Sequence, residues 1–161
     1  MAILVHLTAE KHAARIERSG IRPTRLRGHP PRGVFCMPLL PSYFASHQWL
    51  RELRRHGTRA FVAIDFRVPS SEPVWAGHYG HQHLATTVGR AARTILQLPD
   101  PRGWELILPR AVDAREIVNV REVSQVVGWR YFPGAHGTRP CPCDYCSRGL
   151  FGRRRMTRLA R

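Results

Sequence analysis

Three short apolar segments of this 161-residue chain each carry one side chain able to do chemistry. The first runs Ala2 to Val5 and meets His6, followed by Leu7 and Thr8. The second is Gly33-Val34-Phe35, and the third is Trp104-Glu105-Leu106-Ile107-Leu108-Pro109. A carboxylate opening an apolar strand is poorly solvated unless it faces a cleft. Held there, it can stabilise positive charge that develops in a transition state. An imidazole at a strand end can bond a sugar hydroxyl, and flat side chains after residue 35 (Tyr43, Phe44, Trp49) can wall a flat ring. Each has an ordinary structural alternative. His6 can be a hydrogen-bonded strand-end histidine, the aromatics can pack a helix on a sheet, and Glu105 can pair with Arg102 or Arg110.

In this order and spacing the fragments resemble the ADP-ribosyltransferase superfamily over residues 2–118. The resemblance implies an α+β fold of mixed short-stranded sheets with two or three helices. It implies NAD as the bound cofactor, with His6, Leu7 and Thr8 gripping it through a ring and adjacent backbone. Phe35 and either Tyr43 or Trp49 would wall the nicotinamide, since Ser46 stands where a second family tyrosine would fall. Glu105 would be the catalytic carboxylate that bonds the ribose 2′-hydroxyl as the nicotinamide–ribose bond breaks. His6, Phe35 and Glu105 are then expected to line one pocket. Gly103 stands two residues before Glu105, where arginine-modifying transferases carry Gln or Glu. The resemblance therefore implies a nucleic acid or another non-arginine acceptor; the tRNA 2′-phosphotransferases, which share the fold, use NAD on RNA.

Two further clusters could bind metal or substrate. Cys141, Cys143 and Cys146 with His136 form His-x4-Cys-x-Cys-x2-Cys, a set suited to tetrahedral zinc, with Cys36 as a competing fourth ligand. Free thiols and a disulfide remain the alternatives. His78, His81 and His83 crowd six residues; in a strand His81 and His83 share one face and His78 the other, so a polar loop lining a cleft is the reading adopted.

The chain length suits one domain plus a small appendage. The formal net charge is +15, almost entirely arginine because Lys11 is the only lysine, and this favours a polyanionic partner, RNA or DNA. The second reading is accordingly a non-catalytic, zinc-stabilised RNA- or DNA-binding module; a basic surface with no dedicated partner is the plain alternative. No apolar run approaches the ~20 residues of a membrane span, and no signal-peptide pattern opens the chain, so a cytoplasmic protein is expected. The patterning predicts strands at 2–7, 33–37, 60–67, 74–79, 104–108 and 123–129, with a strand or helix–strand pair at 112–120. Helices are expected from Thr8 as N-cap to Ser19, over 42–56 and over 85–96. Residues 1–128 would form the catalytic domain. Residues 129–161, with three cysteines, eight arginines and one acid, Asp144, would form a Cys/Arg-rich appendage or a disordered basic tail, whose last segment (Arg153 to Arg161) suits phosphate.

Overall fold

The apolar start of the chain forms β1 (Ala2–Ala9), two residues longer than the sequence pattern suggests. In the computed structural model, residues 1–25, 32–54, 58, 60–79, 81–125 and 127–128 are described. All belong to the first of two units of the chain, Met1–Trp129. Thr8 does not cap a helix: it stays in β1, opposite Val62 of β3 (Phe61–Val68). A 3-10 turn at Glu10–His12 then leads into α1 (Ala13–Ser19), whose start has no side-chain cap. Gly20 ends α1 as expected, with φ +73° and its N–H on the Ile16 carbonyl at 2.7 Å.

The remaining elements are β2 (Val34–Pro38), α2 (Tyr43–His47), α3 (Leu50–Arg54), β4 (Pro73–His78), β5 (Leu84–Thr87), α4 (Val88–Gln97), β6 (Trp104–Leu108) and β7 (Ile117–Glu122). They make an α+β fold around one seven-stranded antiparallel sheet of order β5-β4-β6-β2-β1-β3-β7. The strand and helix starts differ from the sequence reading in three places. The helix expected over 42–56 is two short ones, because the Gln48 side chain between them is spent on a distant loop. The helix expected from 85 starts at Val88, since the β-branched Thr86 and Thr87 finish β5. No strand forms at Val123–Gln125. There the Gln125 carboxamide bonds both the N–H (3.0 Å) and the C=O (2.8 Å) of Phe61, doing the work of a ladder rung.

One face of the sheet is covered by α1 and α4. Leu4, Ile64, Phe66, Leu106 and Leu108 pack there with Ile16, Val88, Ala91 and Ile95. The spacing of the three α4 residues is that of one helix face, which leaves Arg90 and Gln97 turned outward. The other face carries a smaller cluster, in which α3 lays Leu50 and Leu53 against Val5, Ala63 and Phe61. Among the described residues no helix is long and apolar enough to cross a membrane.

Candidate active site

The strands bearing Glu105, Phe35 and His6 are neighbours: β6, β2 and β1 lie side by side in the middle of the sheet. The ladder between them is incomplete. β1 and β2 pair at Leu4↔Pro38 and Val5↔Met37 and no further, while Val34, Phe35 and Cys36 pair with Leu108, Ile107 and Leu106 of β6. Past Val5 the sheet is split.

Two hydrogen bonds fix which backbone groups face the split. Leu39 N–H donates to Ile3 O (2.9 Å) and Glu10 N–H to Ala60 O (3.1 Å). Odd-numbered residues of β1 therefore direct N–H and C=O toward β2, and even-numbered ones toward β3. The rung after Val5↔Met37 would join Leu7 N–H to the Phe35 carbonyl. Instead the His6 ring takes that carbonyl, donating from Nδ1 at 2.8 Å. The β1–β2 ladder does not continue to Leu7. Burial lowers the His6 pKa, partly offset by the Phe35 bond, so the ring is neutral near pH 7.

Strand alternation puts Glu105 and Ile107 on the face shared, across β2, with Phe35 and Met37. His6 lies on the other face, with Leu4 and Ile64. The expected single pocket lined by His6, Phe35 and Glu105 is not formed: Phe35 and Glu105 share one face of the sheet, and His6 lies on the opposite one. Two strand spacings, about 10 Å, separate β6 from β1.

Glu105 is 7% exposed. Neither expected partner neutralises it. Arg102 is bound to Asp100, and Arg110 bridges Glu72 and Glu116. Its partner is His83, whose Nε2 stands 3.2 Å from Oε1. His83 arrives from the loop before β5 and lies over Gly77, where an added Cβ would meet the His83 ring at 3.1 Å. The carboxylate also lies close enough to Cys36 to reinforce what burial does to that thiol, which is to push its pKa up. The Cys36 Sγ–H is directed toward the Leu106 carbonyl (3.7 Å).

Trp49 lies beside Glu105 in the fold: its Nε1–H donates to the carbonyl of Trp104 at 2.9 Å, and its ring meets Tyr79 edge-on at 5.1 Å. Tyr43 is elsewhere. It stacks on His47 at 4.0 Å, and its hydroxyl accepts from Ser124 N–H, which ties it to the end of β7. Gln48 braces the loop before Glu105, accepting from Gly103 N–H (2.7 Å) and donating to Pro101 O (2.9 Å). Gly103 has φ +81°, and a Cβ there would fall 2.4 Å from the His78 ring, so no side chain fits two residues before Glu105.

Two site residues were not singled out from the sequence as such: Tyr79, which only the pairing of β4 with β6 brings near, and His83, visible as part of a cluster but without its partner. The cluster divides in space, with His78 against His81 at 5.2 Å and His83 on Glu105. Among the described residues no group of three or more His, Cys, Asp and Glu is placed to hold a metal ion. His136, Cys141, Cys143, Cys146 and the Arg153 to Arg161 segment lie outside the described residues. No protein-family model, curated protein or solved structure matches this chain.

Proposed function

We propose that this domain is an NAD-dependent ADP-ribosyltransferase, or an NAD glycohydrolase, acting on a nucleic acid or another non-arginine acceptor. The observation that carries the reading is the adjacency of β6, β2 and β1. It brings a buried carboxylate, an aromatic and the end of the β1–β2 ladder at Leu7, drawn from three distant segments, onto neighbouring strands. Leu7 N–H and C=O are a donor and an acceptor side by side, the complement of a carboxamide such as that of nicotinamide. Phe35 and Trp49 offer flat apolar surface, and Glu105 offers charge. Because His6 and Glu105 lie on opposite faces, a ligand touching both has to pass through the split.

In the reaction the bond from nicotinamide nitrogen to ribose C1′ breaks, and nicotinamide leaves with the electron pair. Glu105 offsets the oxocarbenium charge left on the ribose, and the attacking group releases its proton as the new bond to C1′ forms. Gly103, hemmed in by His78, gives no side chain to orient a guanidinium, in keeping with a non-arginine acceptor. The net charge of +15 points to a polyanionic one. Zinc held by His136, Cys141, Cys143 and Cys146 would give about one metal per chain in purified protein.

Incubation with NAD should release nicotinamide, and Glu105→Gln should cut the rate on the order of 10²–10³-fold while leaving the melting temperature nearly unchanged. Labelled NAD with RNA, single-stranded DNA or no acceptor then separates transfer from hydrolysis. Tight, salt-sensitive nucleic-acid binding without any NAD cleavage would replace this reading with that of a binding module.

A further inference from the structure

His83 and Glu105 face one another in a setting that constrains both. The His83 side chain has no exposed surface, and that of Glu105 is 9% exposed. The second ring nitrogen of His83, Nδ1, lies 3.1 Å from the His81 carbonyl. A carbonyl only accepts, so Nδ1 carries a proton. Nε2 stands 3.2 Å from Glu105 Oε1, within ion-pair distance but without hydrogen-bond geometry. Oε1 is sealed from solvent beside His83, and the Glu105 side chain as a whole keeps 9% of its surface exposed.

We propose that His83 is the positioning residue for Glu105, holding Oε1 so that Oε2 is the oxygen presented to the ribose. This deepens the NAD reading above and rests on it. The Glu105 side chain extends from a strand over the bare surface of Gly77, where its neighbouring strand supplies no side chain to fix its rotamer. His83 supplies that wall, and the His81 carbonyl in turn fixes the plane of the ring. An acid free to swing would lose the alignment that bonding a ribose hydroxyl requires, and a misplacement of about 1 Å costs on the order of a hundredfold in rate.

The test compares His83→Phe, which fills the space without a donor, with His83→Gln, which restores a donor toward Oε1. In the full-length protein, nicotinamide release should fall about a hundredfold in kcat for His83→Phe, with KM for NAD within about threefold of wild type. His83→Gln should recover most of the loss. Equal kcat in His83→Phe and wild type, or no recovery with Gln in a variant that melts like wild type, would overturn the assignment. Imidazole nitrogen spectra give a readout that needs no turnover. The His83 signals should change in Glu105→Gln, and unchanged signals overturn the pairing itself. If wild type neither binds nor cleaves NAD while those signals do respond, the pair stands as a structural contact. In that case the NAD reading fails, and the positioning role with it.

Discussion

Two carboxylates interrupt apolar strands on the same face of this sheet, and their partners differ in kind. Asp65 is held by both nitrogens of the Arg121 fork, at 2.7 and 3.0 Å, and Arg121 donates again to His47 Nε2 at 2.8 Å. A bidentate guanidinium leaves that acid little to offer a ligand. Glu105 has a single imidazole beside it and a side chain that is 9% exposed. The two substitutions should therefore fail in opposite ways. Asp65→Asn should cost about 2–3 kcal/mol in urea unfolding, less than for a fully buried pair because Arg121 is a quarter exposed, while NAD cleavage persists under conditions where the variant is folded. A variant as stable as wild type would show that Arg121 is satisfied by His47 and solvent alone.

At the scale of elements, the sheet is opened by one side chain. His6 occupies the acceptor that the next β1–β2 rung would use, and the backbone of Leu7 is kept for something other than the ladder. With His6→Val, Leu7 N–H can close on the Phe35 carbonyl. The exchange of one hydrogen bond for another should leave stability within about 1 kcal/mol. The rise in melting temperature given by saturating NAD should disappear; a rise of wild-type size would mean that the split is not where NAD binds. The break between α2 and α3 has a comparable origin. Gln48, fully buried, spends its carboxamide on Pro101 and Gly103, one turn from Glu105. Gln48→Leu leaves the Gly103 N–H unmet, while the Pro101 carbonyl keeps the Trp104 N–H, and should cost about 1–3 kcal/mol, read by urea titration. NAD cleavage should fall beyond what the lost folded fraction explains, because the loop sets the start of β6.

For the molecule as a whole, acid should unfold the domain through its buried histidines before its carboxylates. Burial holds the His6 and His47 pKa values below 6.5, and both rings serve as neutral partners in the folded state. The unfolded chain binds protons at these sites first as pH falls. Their contribution is thus complete above about pH 6.5 and lost on descent toward the lowered folded values. The Glu116 carboxyl, drawn down by Arg110, follows at lower pH: its contribution is present above the ordinary carboxylate range and is lost as pH falls through that range to its lowered folded value. Melting temperature should fall from pH 7 to pH 5, and less steeply in His6→Asn and His47→Gln. Parallel curves for all three proteins would assign the acid sensitivity to other groups.

Much of the fold was legible in the sequence, because apolar periodicity and glycine stops are local signals: the central strands, the end of α1 at Gly20 and the mixed α+β class follow from them. That Glu105 stands in an apolar strand was legible too, since a lone acid there has to be solvated or paired somewhere. Asp65 gives the same local signal and differs only in what the fold sets beside it. Tertiary structure alone decided the rest. It chose Arg121 for Asp65 and His83 for Glu105, sent Arg102 and Arg110 to other acids, carried Tyr43 to the end of β7, and put His6 on the face opposite Glu105. These outcomes depend on strand order and register. A shift of one residue in either reverses a face, and no short stretch of sequence carries that information.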